Sequence, residues 1–137
     1  MFSHRFQKRV RYAETDKMGY LYYGHYAKYY EIGRVEMLRA LGFSYQIMED
    51  EYKIMMPVVS LQSRFVRPAY YDDLLTIETT LRKLPDQFIT FHVEIFNLTN
   101  KLVNGGNVKL CFVDMNTNKS VNTPRFLLDK LEVHFRI

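Results

Sequence analysis

Gly24-His25-Tyr26-Ala27-Lys28-Tyr29-Tyr30-Glu31-Ile32-Gly33-Arg34-Val35-Glu36-Met37-Leu38-Arg39-Ala40-Leu41 decides how the rest of this chain is read. Tyr26, Tyr30, Gly33, Met37 and Leu41 recur three or four residues apart, and Tyr29, Ile32 and Ala40 widen their face. That period predicts one long helix with a broad apolar stripe, so broad that other structure must enclose it. Gly33 inside it costs about 1 kcal/mol of helix propensity relative to Ala, which a close backbone approach to a sheet would explain. Gly42 is placed to stop the helix.

Period two takes over on both sides of the helix. Upstream, Phe2, His4, Phe6, Lys8, Val10 and Tyr12 share one face, with Ser3, Arg5, Gln7, Arg9 and Arg11 on the other. This predicts a strand ending near Ala13. Downstream, Ser44 to Glu51 reads as a short helix capped by Ser44. Strands follow around Val59, Leu61 and Phe65, around Leu75 to Leu81, around Ile89 to Ile95, and from Leu102 to about Met115, with Gly105-Gly106 as an expected bulge. Pro124 opens a last short helix, Arg125 to Lys130. Short connections favour antiparallel pairing. The fold class expected is therefore α+β, an antiparallel five-stranded sheet wrapped around one long central helix. Pairing of edge strands across a dimer would cover such a sheet's open edges.

The 137 residues suit one domain over 1–137. Eleven Tyr and ten Phe with no Trp point to an interface or a lined cleft, because Tyr brings both apolar area and a hydroxyl. A formal net charge of +4 suits an anionic small ligand and is too small and dispersed for nucleic acid. The single cysteine, Cys111, excludes an internal disulfide and reads as a small core residue. No apolar run has signal-peptide or membrane-spanning length, so a cytoplasmic location without membrane insertion is expected. Neither metal-ligand spacing nor a phosphate-cradling glycine motif is present, and no bound cofactor is expected.

The chemistry concentrates between Tyr12 and Tyr26, where the first strand feeds the long helix. A helix start offers free N–H groups that hold an anion or a developing oxyanion. Asp16 stands a few residues upstream as candidate base or nucleophile, and Gly19 and Gly24 permit close backbone approach. On residue chemistry alone, Asp16 reads more often as a turn former.

The ordered motif Arg11-Tyr12-x-x-Thr15-Asp16-x-x-Gly19-x-x-Tyr22-x-x-x-Tyr26, then Tyr30-Glu31-x-x-Arg34-x-x-Met37-Leu38-Arg39, continues through Gly42-Phe43-Ser44-Tyr45, Pro57-Val58-Val59, Phe65-x-x-Pro68-Ala69-x-x-Asp72-Asp73 and Val113-Asp114. Over most of the chain it resembles the small hotdog-fold acyl-CoA thioesterases, the family of 4-hydroxybenzoyl-CoA thioesterase and the Tol–Pal-associated thioesterase. The resemblance implies thioester hydrolysis, with Asp16 as nucleophile or as base for water and the Tyr23 N–H as oxyanion donor. The thiol leaving group, with a pKa near ~8.5, needs no dedicated acid. Many Tol–Pal-type members carry a histidine directly after the tyrosine that here is Tyr22. This chain has Tyr23, with His25 two positions later as a further candidate. That pattern counts against a histidine-dependent dehydratase.

Tyr12, Met18, Gly19, Val59 and Ser60 are the expected substrate contacts, although core packing is slightly preferred for Val59. Arg64, Arg67, Arg82 and Lys83 are candidates for the phosphates of coenzyme A, which would belong to the substrate. A homo-dimer or homo-tetramer with sites between subunits is expected. The rivals are an acyl-carrier-protein thioesterase and a non-catalytic acyl-CoA binder.

Overall fold

A computed structural model describes residues 1–136. The long helix is α1, Tyr26–Ala40, preceded by a single 3₁₀ turn at Tyr23–His25. The helix therefore begins two residues later than its apolar period suggested. Gly42, at φ +91°, ends it as expected. Tyr26, Tyr29, Tyr30, Gly33, Met37 and Leu38 are buried, and so is Arg34, whose Nε donates to the Tyr45 hydroxyl at 2.9 Å. The next helix, α2 (Tyr45–Asp50), carries the expected cap: Ser44 Oγ accepts the Ile47 N–H.

Seven strands form one curled antiparallel sheet: β1 (Phe2–Arg9), β2 (Ile54–Met55), β3 (Val58–Phe65), β4 (Leu74–Leu81), β5 (Phe88–Phe96), β6 (Leu102–Asp114) and β7 (Lys119–Val121). The five long strands run in the order β1-β4-β5-β6-β3, while β2 and β7 pair with the far end of β6. The last helix, α3 (Arg125–Glu132), extends two residues past the expected end. On β4 and β5, buried Leu75, Ile77, Leu81, Ile89, Phe91, Val93 and Ile95 alternate with partly exposed neighbours, and this face receives α1.

Gly33 is a point of close approach between helix and sheet. A Cβ there would stand 2.5 Å from Thr79 Oγ1 and 2.7 Å from Ile77 Cγ2, so the expected close approach exists.

Four sequence expectations are corrected. β1 stops at Arg9 rather than Ala13, because a 3₁₀ turn at Tyr12–Glu14 takes over. Gly105 and Gly106 form no bulge: their register with β5 and β3 is continuous, and the shifts fall between Val58 and Ser60 and between Ile95 and Phe96. Gly106 is instead a point of close approach, where a Cβ would meet the Tyr30 hydroxyl and the Gln62 carbonyl. Cys111 is only half-buried, since it alternates with buried Leu110 and Phe112. Val59 is half exposed rather than packed in the core.

Candidate active site

The segment from Arg11 to Tyr26 is folded by its own backbone. Asp16 and Tyr20 exchange a bond (Asp16 N–H to Tyr20 O, 2.8 Å), Gly19 N–H reaches Asp16 O at 3.0 Å, and Gly19 takes φ +82° to close the turn. Leu21 N–H donates to Ala69 O at 2.7 Å, tying the turn to the β3–β4 connection. The loop then runs directly into the 3₁₀ turn that starts α1.

The two carboxylates of this loop have opposite surroundings. Glu14 is buried, and its side chain accepts from Lys8, Lys28, the Arg11 N–H and Tyr29. Burial alone would raise its pKa, but the hydrogen bonds, led by that from Lys28, hold it down at about 2. A carboxylate so fully engaged is a poor nucleophile. On Asp16, Oδ1 accepts the Met18 and Tyr20 N–H groups at 2.9 and 3.1 Å. Its Oδ2 has no hydrogen-bond partner among the described residues, so one oxygen orients the group while the other stays free to react.

Asp16 lines a cleft of about 330 Å³ with Met18, Tyr23, Tyr26, Phe65 and Arg67 among its walls. Phe65 meets Tyr26 edge-to-face at 5.4 Å and Tyr23 at 6.3 Å, giving an aromatic floor. Burial pushes the Tyr26 hydroxyl up to about 12, so it stays protonated. Among the described residues, the Tyr23 and Gly24 N–H groups have no acceptor, as the first turn of a helix requires. Carboxylate, free helix-start N–H groups and an apolar cleft thus lie together, the components that acyl transfer from a thioester needs.

The structure divides the residues expected from sequence. Asp16, Met18, Tyr23 and Arg67 line the cleft, and Gly19 shapes the turn beside it. His25 sits in the 3₁₀ turn with its ring against Tyr22, outside the cleft lining. Tyr12 is largely exposed and packs edge-on to Tyr71. Val59 and Ser60 stand on the exposed edge strand β3, outside the cleft lining. Arg64 and Arg82 border a wider, polar depression of about 720 Å³ on the outer face of the sheet, and Lys83 lies with Arg82 in a smaller groove at the β4–β5 turn. Phe65, Val66 and Tyr26 were not identified as cleft walls from sequence. Their signal was the apolar pair Phe65-Val66 and the first aromatic residue of α1, which come together only once the end of β3 is placed beside the start of α1. No three of His, Cys, Asp and Glu among the described residues come together as a metal site, and no described helix is long and apolar enough to cross a membrane.

The thioesterase superfamily model matches residues 18–104. The acyl-CoA thioester hydrolase YbgC of Escherichia coli O157:H7 is 34% identical over 110 residues, covering 80% of this chain and 81% of that protein. A putative esterase of Aquifex aeolicus is 29% identical over 127 residues, covering 93% of this chain and 96% of that one. Among solved structures, the DHNA-CoA thioesterase of Staphylococcus aureus superposes with a TM-score of 0.86 at 29% identity, covering 100% of this chain and 97% of that one.

Proposed function

The chain belongs to the thioesterase superfamily, and from that premise we propose how it works as an acyl-CoA thioester hydrolase: Asp16 is the acting carboxylate and the Tyr23 N–H is the oxyanion donor. The observation that carries this reading is that Asp16, with its Oδ2 unpartnered among the described residues, lines the same cleft as Tyr23, whose N–H has no acceptor there. The thioester carbonyl lies with its oxygen toward Tyr23 N–H. In one route Asp16 attacks the carbonyl carbon, the C–S bond breaks, coenzyme A leaves as thiolate and water opens the resulting anhydride. In the other, Asp16 takes a proton from water as the water attacks the carbonyl carbon, and the tetrahedral species collapses with C–S cleavage, expelling coenzyme A as thiolate. Both yield the acid and free coenzyme A. Met18, Tyr26 and Phe65 receive the acyl group, and Arg67, held by its Nη1 bond to Leu102 O at 2.6 Å, is the cation in the cleft lining that meets coenzyme A.

The unit that does this is a single domain over residues 1–137, assembled at least as a dimer through β3. Val58, Val59, Leu61 and Phe65 of that strand are exposed, and its free edge is unpaired. The opposite edge, β1, instead presents Ser3, Arg5, Gln7 and Arg9 to solvent on its outer face. An apolar, unprotected edge is the one that needs a partner. Antiparallel pairing of two copies about the middle of β3 sets the start of one strand beside the end of the other. The partner's Val59 and Ser60 then approach Phe65 and the cleft, which accounts for substrate candidates that stand apart within one protomer.

The test is thiol release from short, long and aromatic acyl-CoAs by wild type and Asp16→Asn. Asn keeps an oxygen for the Met18 and Tyr20 N–H groups, so the loop is retained while turnover falls by about 100-fold or more. Unchanged hydrolysis would remove Asp16 from the mechanism.

A further inference from the structure

Two residues before Asp16 lies a carboxylate that the reaction does not use. Glu14 is 5% exposed, and its side-chain donors come from three separate parts of the chain. Lys8 Nζ reaches it at 2.9 Å from β1 and the Arg11 N–H at 2.9 Å from the turn. The Tyr29 hydroxyl at 2.8 Å and the Lys28 ammonium reach it from the first turn of α1. The Glu14 carbonyl in turn accepts the Tyr22 N–H at 2.9 Å. One residue is therefore bonded on one side to the strand end and loop that present Asp16. On the other side it is bonded to the helix whose leading N–H belongs to Tyr23. Lys8 also lies over the Tyr29 ring, 5.0 Å from its centroid, which closes the cluster into a compact unit.

We infer that Glu14 is a positioning residue that sets the separation between the Asp16 carboxylate and the Tyr23 N–H. The inference rests on the roles given to those two groups above. If Glu14 served stability alone, its donors could come from any neighbouring element; here all of them come from the segments that carry or adjoin the site. In either route the oxyanion donor and the carboxylate, or the water that it activates, must meet one carbonyl group at once. An error of about 1 Å in such an arrangement costs on the order of 100-fold in rate. Glu14 touches no substrate. It acts through two backbone segments that, within this cluster, otherwise meet only where Lys8 lies over the Tyr29 ring.

The experiment compares Glu14→Gln and Tyr29→Phe with wild type. Tyr29→Phe removes one donor and keeps the packing, so it guards against a Glu14 variant that fails to fold. Two readouts are taken: kcat and KM on an acyl-CoA that wild type hydrolyses, and the backbone amide resonances of Tyr23 and Gly24 in the free protein. The expected result is a kcat lowered by about 10- to 100-fold for Glu14→Gln and by less for Tyr29→Phe. KM should stay within about twofold, and the Tyr23 and Gly24 resonances should move while those of β4 and β5 hold. Unmoved Tyr23 and Gly24 resonances with unchanged kcat would overturn the inference, as would a fall in kcat matched by equal disturbance throughout the sheet. Should wild type hydrolyse no acyl-CoA, the functional reading fails, and the amide resonances still decide whether Glu14 positions the loop against the helix.

Discussion

Gly33→Ala tests how tightly α1 is pressed onto the sheet, because two effects of opposite sign compete at that position. Removing glycine from a helix interior gains about 1 kcal/mol of propensity. The added Cβ would stand 2.5 Å from Thr79 Oγ1 and 2.7 Å from Ile77 Cγ2, about 1 Å inside ordinary contact distance. Both neighbours are fully buried and β-branched, so neither turns aside cheaply. Overpacking of this kind costs about 1–3 kcal/mol, and two stiff neighbours place it in the upper half of that range. The net expectation is a destabilisation of about 1–2 kcal/mol, or a Tm lower by roughly 4–8 °C for a chain of this length. Urea unfolding at fixed protein concentration measures it, the concentration being held because any self-association would add to apparent stability. Thr79 Oγ1 is buried without a partner, so Thr79→Ala removes the nearer obstacle and an unpaired hydroxyl together. In that background Gly33→Ala should cost about 1 kcal/mol less. If Gly33→Ala instead stabilises the protein by its full propensity gain in both backgrounds, α1 does not lie against β4 as described.

Two further outcomes are expected. The Glu14 pKa is held at about 2 against an ordinary 4.5, so its contribution is present above about pH 4.5 and is lost as pH falls from there toward 2. The amount is on the order of 2–3 kcal/mol once screening at the partly exposed Lys28 is allowed for. Urea midpoints across that window should fall more steeply in wild type than in Glu14→Gln, and parallel curves would contradict the bonding described. Leu61→Glu places like charges near the centre of paired β3 edges; sedimentation should show a shift toward monomer with loss of turnover, and an unchanged assembly would place the interface elsewhere.

Where the sequence was legible, the cause of structure was local. Ser44 caps α2 through its own third neighbour, Gly42 ends α1 by its positive φ, and the alternation of β4 and β5 reports directly which face is buried. Gly33 was legible by elimination, since a glycine inside a strongly periodic helix needs an external reason. Gly105-Gly106 misled because glycine in a strand has two explanations, a bulge or a close neighbour, and only the position of Tyr30 and Gln62 chooses between them. β2 and β7, with two and three residues, are too short to show a period. Val59 and Leu61 were read correctly as strand residues and Val59 wrongly as core. Their side chains stand exposed on the edge strand β3. Arg34, spaced as a polar position of α1, is buried because Tyr45 of the following helix meets its guanidinium.

The site itself turns on a distinction that residue type does not make. Glu14 and Asp16 are both loop carboxylates, separated by Thr15 alone, yet what surrounds each gives them different capacities. A nucleophile or base must have a lone pair that the folded state does not already use. Glu14 meets four donors, two of them ammonium groups, and is held ionised and inert. Asp16, which lines the cleft, meets two N–H groups on a single oxygen, enough to fix its direction while leaving the second oxygen without a partner among the described residues. Exchanging the two residue types would leave both positions acidic but lose this division. Aspartate at position 14 is one methylene short of donors that converge from β1 and α1, and glutamate at position 16 is one methylene too long for the turn its carboxylate closes with the Met18 and Tyr20 N–H groups. On the roles proposed above for Glu14 and Asp16, the order glutamate, threonine, aspartate encodes a support and a reactive group. Each side chain's length is matched to the distance it must span.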